Sequence, residues 1–104
     1  MSLDNIQLVG AIGVNADGSV RVPDGTTSAT RESAGTYVCQ IGSEIGIDEA
    51  LPIATPWVAE SPDAITLVVR METPTTVRVI CFATVTGLPT DFPFNLMVYR
   101  LPQL

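Results

Sequence analysis

The amino-acid sequence predicts an all-β fold, an antiparallel β-sandwich of about seven or eight short strands. Three observations lead there. Apolar and polar residues alternate with the two-residue period of strands along much of the chain. Gly, Pro, Asn and Asp recur between these runs as turn signals. No segment carries a convincing helical period; the best candidate, residues 43–51, is interrupted by Gly46 and followed by Pro52. Many short strands separated by turns, with no helices, read as a sandwich or barrel.

Residues 6–14 open the chain as a long extended run whose glycines mark bends or close backbone approaches. Asn15-Ala16-Asp17-Gly18 is a turn, and Ser19-Val20-Arg21-Val22 alternates as a half-buried strand does. In Pro23-Asp24-Gly25 proline presets φ and glycine is free to take a positive φ, which makes a second turn. A short strand over 29–32 follows, then a strand over 36–41 with Tyr37, Cys39 and Ile41 on one face and Val38 and Gln40 on the other. Residues 42–56 hold Glu44, Asp48, Glu49 and two prolines, and read as a long connection of the kind that is often functional.

Residues 57–60 read as a short strand. Residues 64–72 are nearly continuously apolar, the pattern of a strand covered on both faces. In 75–85, Val77, Val79, Cys81, Ala83 and Val85 share one face, and Arg78, Ile80, Phe82 and Thr84 make a mixed one. Such a strand suits a sheet with the core inside and a partner subunit outside. A turn over 86–91 leads to the last strand, 94–101. The tip Leu88-Pro89-Thr90-Asp91-Phe92-Pro93 either folds back over one end of the sandwich or forms a contact surface.

At 104 residues the chain, 1–104, reads as a single domain. Its composition is unusual: 46% of residues are hydrophobic and only 15% are charged, against roughly 25% charged in ordinary domains. An apolar excess of this kind points to burial against further copies of the chain. The formal net charge is −6, lysine and histidine are absent, and the five basic residues are Arg21, Arg31, Arg70, Arg78 and Arg100. Nucleic acid binding needs clustered cations, and no cluster is present. Anionic membrane surfaces are disfavoured for the same reason. No apolar run of about 20 residues spans a bilayer, and no secretory leader is recognisable. Met1-Ser2-Leu3 is either a native start or an added one.

Without histidine or lysine, only carboxylates remain as bases for a nucleophilic serine or cysteine, so no enzyme activity is expected. Glu44, Asp48, Glu49, Glu60, Asp63 and Asp91 are the candidates for paired-carboxylate chemistry, but most lie in loops, where a solvated acidic surface is the ordinary reading. Asp48 and Glu49 lack a calcium-loop pattern, and no cofactor or metal is expected. Cys39 and Cys81 are either two buried small residues or one disulfide. The arginines read as surface ion pairs, or as interface forks such as Arg78 with Glu72 or Asp91 across a subunit boundary.

Three motifs resemble a small β-sandwich module of bacteriophage tail fibres and bacterial surface fibres. They are Gly13-Val14-Asn15-Ala16-Asp17-Gly18-Ser19-Val20, then 28–38 ending in Gly35-Thr36-Tyr37-Val38, then Thr76-Val77-Arg78-Val79 followed by Asp91, Phe92 and Phe94. The resemblance runs from about Gly13 to Tyr99. Those modules, and the similar H-type lectin sandwich, form trimers. The resemblance therefore implies a homotrimer, extracellular or virion-associated, that binds a cell-surface ligand such as a glycan. The acidic segment 42–55 and Cys81 depart from the pattern. Candidate ligand-binding residues are Trp57, whose ring either stacks on a sugar or packs at a core edge or subunit interface, together with Asp91, Tyr99 and Arg100. The rival readings are a purely structural trimerisation, capping or virion decoration module, and a free secreted lectin.

Overall fold

The computed structural model of the chain describes residues 6–57 and 65–102. Eight strands form two four-stranded sheets packed face to face. The strands are β1 (Gln7–Val14), β2 (Val20–Val22), β3 (Ser28–Ser33), β4 (Thr36–Gln40), β5 (Ala50–Pro56), β6 (Ile65–Thr73), β7 (Thr76–Ala83) and β8 (Phe94–Arg100). The first sheet has the order β2-β1-β8-β5 and the second β3-β4-β7-β6. Every neighbouring pair is antiparallel. The all-β antiparallel sandwich is the fold expected from the alternating pattern.

The core follows from that alternation. Val77, Val79 and Cys81 of β7 face inward beside Tyr37 and Cys39 of β4, as their spacing requires. Phe94, Leu96 and Val98 of β8, with Ile12 and Val14 of β1, meet them from the first sheet. Burying one such side chain stabilises the fold by roughly 1.5–3 kcal/mol. Ile41 and Ile45 close one end, where their N–H groups donate to the carbonyls of Thr75 and Pro74 in the β6–β7 turn.

Residues 42–56 are not one long connection. A single 3-10 turn, Ile47–Glu49, leads directly into β5. The two prolines that read as loop signals occupy β5 itself. Its ladder to β8 is anchored by Leu101 N–H to the Glu49 carbonyl and by Trp57 N–H to the Pro93 carbonyl, so odd-numbered residues bond inward across the ladder. Pro52 and Pro56 fall on the alternate positions, where an N–H would point to the free edge and none is missed. The strand expected over 57–60 lies, apart from Trp57, outside the described residues.

β6 also differs from expectation. It is an edge strand whose alternate residues Thr66, Val68, Arg70 and Glu72 are exposed, so within one chain it is covered on one face only. The tip at 88–93 folds back: Thr90 N–H donates to the Cys81 carbonyl, Ala83 N–H to the Leu88 carbonyl, and Phe92 packs on the core. Both cysteines are free and buried. Cys39 pairs with Val77, four residues from Cys81 along β7. That offset separates them by about 13 Å, beyond the reach of a disulfide.

Strand facing is directly testable. Val79→Asp places an unpaired charge at a fully buried position between Tyr37 and Val69. Circular dichroism melts should show no cooperative transition for this variant. Val68→Asp, on the exposed side of β6, should melt close to the unmutated chain. A folded Val79→Asp protein means the face is assigned one residue out of register.

Candidate functional site

The two outer faces of the sandwich differ in chemistry. On the second sheet, Arg78 bonds Glu72 and Glu32, and Arg70 lies 3.6 Å from Glu72. These are pairs within one chain, and Asp91 is not among the partners of Arg78. Threonines and apolar residues share the rest of the face: Thr66 and Thr84 hydroxyls lie 3.1 Å apart, and Val68, 45% exposed, pairs with Ile80. This face is mixed, with its charges paired on one another.

The first sheet is different. Register places Leu51, Tyr99 and Leu8 in one row across β5, β8 and β1, and Ile53, Met97 and Ala11 in the next. Leu8 is 55% exposed, Leu51 42% and Ile53 36%. No charged side chain lies in either row. The Tyr99 hydroxyl has the Met97 sulfur as its neighbour at 3.7 Å. One half of this outer face is therefore a continuous apolar patch.

The other half is built around Arg21. The next row along the register holds Thr55, Asn95, Gly13 and Val22. From β2, the Arg21 side chain reaches across β1: Nη1 donates to the Val14 carbonyl at 3.3 Å, and Nη2 to Asn95 Oδ1 on β8 at 2.6 Å. Its guanidinium carbon lies 3.9 Å from the centroid of the Trp57 ring, just beyond β5. Gly13 makes this possible, because a Cβ there would sit 2.5 Å from Arg21 Nη2 and 3.0 Å from Cζ. An arginine thus lies flat across the sheet and holds an indole that is 49% exposed.

The four candidate residues do not converge. Trp57 sits at this end of the sheet. Tyr99 lies in the apolar half, paired with Leu51, about 20 Å away along the strands. The Arg100 guanidinium is engaged internally, donating to Gln7 Oε1 at 3.2 Å and to the Glu44 carbonyl at 2.9 Å. Asp91 clasps two turns: Arg31 Nε donates to both its oxygens at 3.0 Å, and Gly35 N–H donates at 2.7 Å. The Arg31 guanidinium, helped by the Gly35 N–H, holds the Asp91 carboxyl below its ordinary value. Glu60 and Asp63 lie outside the described residues. Among the described residues, no three of His, Cys, Asp and Glu stand close enough to hold a metal ion.

Arg21, Gly13 and Asn95 escaped the sequence reading as site residues. They are far apart in the chain, and only strand register brings them together. The one local signal is Gly13, a glycine inside an apolar strand, which marks a close approach.

Other polar groups near the surface serve the fold. The Tyr37 side chain is fully buried, and its hydroxyl donates to the Ala16 carbonyl at 2.7 Å and accepts from Phe92 N–H at 3.3 Å. Burial pushes this phenol up to about 12. Burial likewise pushes the Cys39 and Cys81 thiols up to about 12, which leaves them unreactive at neutral pH. A shallow depression of about 210 Å³ is lined by Leu8, Val9, Gly10, Ala11, Asp24 and Thr26. Its carboxylate is already saturated, with Asp24 accepting from Thr27 Oγ1 and from the N–H groups of Ala11, Thr26 and Thr27. Burial raises the Asp24 carboxyl, but these bonds together outweigh it and hold the group well below the usual carboxylate range.

Two predictions follow from these clasps. Tyr37→Phe strips a partner from the Phe92 N–H and the Ala16 carbonyl, and thermal melts should register a loss of about 1–3 kcal/mol. Asp24 and Asp91 both titrate lower in the folded chain than in the unfolded one. Near pH 4 the unfolded chain therefore binds more protons, and the stability these groups supply is complete above that pH and lost as it falls further. The melting temperature should hold from pH 7 to about 5 and drop steeply below about 4. Asp24→Asn should lower the plateau and flatten the acid limb; an unchanged limb would mean that its hydrogen bonds do not form in solution.

No family model, curated protein or solved structure matches this chain.

Proposed function

We propose that this chain is a non-enzymatic recognition module that assembles with its own copies and binds a cell-surface ligand, a glycan by preference. The observation that carries the reading is the division of the outer face of the first sheet. An apolar half, with the Asp24 carboxylate at its β1 edge, lies beside a half where an exposed indole is held in place by an arginine. Apolar rows of this kind favour packing against another protein surface. Flat, half-exposed aromatic rings favour the apolar C–H face of a sugar, whose weakly positive hydrogens meet the negative face of the ring.

The assembly half assigns the rows of Leu8, Leu51, Ile53, Met97 and Tyr99 to subunit contacts. The motif resemblance points to three copies, on a fibre or virion surface. Pro52 and Pro56 weigh in the same direction, because an edge strand lacking N–H donors at alternate positions is a poor template for edge-to-edge pairing. The face, rather than that edge, is left for contact.

A second reading, assembly without any ligand, is favoured by one observation: Asp91 and Arg100 are engaged in internal hydrogen bonds. Light scattering and a glycan array distinguish the two. A concentration-independent mass of three chains, reduced to a folded monomer by Ile53→Asp, is the expected result for assembly. A monomer at every concentration overturns it. Glycan binding that Trp57→Ala removes is the expected result for recognition. An intact trimer that binds no glycan leaves the purely structural reading.

A further inference from the structure

Arg21 is more than a support for the indole. Of its five N–H donors, two are engaged among the described residues, one at the Val14 carbonyl and one at Asn95 Oδ1. Among the described residues it has no carboxylate partner, whereas Arg31 and Arg70 each have one and Arg78 has two. The side chain is nonetheless fixed in place. Gly13 beneath, Asn95 at one end and the Trp57 ring over its plane hold it in one orientation. Ordering a long side chain costs rotamer entropy. A guanidinium already immobilised, with free donors along its edge, binds a planar anion without incurring that cost again.

We propose that Arg21 and Trp57 together recognise a carboxylate-bearing oligosaccharide. The free edge of the Arg21 guanidinium takes the carboxylate through paired N–H···O bonds, and the neighbouring sugar lies against the exposed part of the Trp57 ring. Asn95 and Gly13 are positioning residues, since they set the guanidinium and touch no ligand in this arrangement. The net charge of −6 opposes an acidic ligand at long range, so its binding depends on the short-range paired hydrogen bonds that the Arg21 guanidinium offers. The inference rests on the glycan-recognition reading above and narrows it from sugars in general to acidic ones.

Trp57 is the only tryptophan in the chain, so its fluorescence reports on this site alone. The probes are 3′-sialyllactose and a glucuronate-terminated disaccharide, each beside the same sugar with its carboxyl reduced to a hydroxymethyl group. The acidic forms should bind at least tenfold tighter than the reduced forms, and Arg21→Gln should erase the difference while sparing the melting profile. Where Arg21→Gln fails to fold, the acid-against-reduced comparison on the unmutated chain decides alone. Equal binding of both forms overturns the carboxylate assignment and leaves glycan recognition standing. Binding of neutral sugars only does the same. Failure of every sugar on the array removes both. A response to peptides ending in a free carboxylate, with none to acidic sugars, overturns the assignment in favour of a protein ligand.

Discussion

The position of the indole depends on a single buried phenol. Tyr37 stands at the centre of the sandwich, edge-on to Phe94 with ring centroids 5.0 Å apart, so it joins the two sheets directly. Such a contact is worth roughly 0.5–1.5 kcal/mol beyond the area it buries. Its hydroxyl then does what a phenylalanine cannot: it ties the β1–β2 turn at Ala16 to the β7–β8 connection at Phe92. The connection is held a second time by Asp91, which Arg31 and Gly35 grip from the β3–β4 hairpin. One residue beyond Phe92, the Pro93 carbonyl receives the Trp57 N–H. The indole therefore projects from a backbone whose position is set, through two residues, by hydrogen bonds inside the core.

That chain of contacts explains the role of Asp91. As a lone acidic residue in a proline-containing tip it reads as a binding group. Its donors Arg31 Nε–H and Gly35 N–H both come from the neighbouring hairpin, and they make it a support for the end of the sandwich that carries Trp57. Arg100 has the same character at the opposite end, bridging Gln7 and the carbonyl of Glu44. Polar groups that look available in a sequence are often those that satisfy backbone groups at strand ends, where the ladders stop and partners are needed.

The fold was legible because its signal is local. Alternation in 36–41 and 75–85 identifies the core faces of β4 and β7, and turn residues at Asn15-Ala16-Asp17-Gly18 and Pro23-Asp24-Gly25 delimit β2. β5 was illegible because Pro52 and Pro56 count against a strand unless their in-plane direction is known. That direction follows only from the ladder to β8. The site was partly legible. Trp57 stands out in any reading of a chain with one tryptophan, but Arg21 looks like an alternating polar residue of a short strand. Its neighbours Gly13, Asn95 and Trp57 are set by register across three strands, and register is not written in any local window.

The division of the first sheet's outer face has a physical consequence for how the two proposed roles are arranged on one small domain. A subunit contact needs apolar area without charges that must be stripped of water. A ligand site for a polar molecule needs fixed donors beside a flat ring and access to solvent. On this sheet the two sets of residues occupy different rows, with Leu51, Tyr99, Leu8, Ile53 and Met97 towards one end and Asn95, Arg21 and Trp57 towards the other. Because the side-chain period of a strand is two, Leu51 and Ile53 of β5 and Asn95, Met97 and Tyr99 of β8 alternate with residues turned to the other side of the sheet, where Phe94, Leu96 and Val98 build the core and Ala54 packs against it. A change of one residue in the register of β8 would turn Asn95, Met97 and Tyr99 inward together and expose Phe94, Leu96 and Val98, so the packing that stabilises the sandwich also fixes the surface to which the proposed assembly and recognition are assigned.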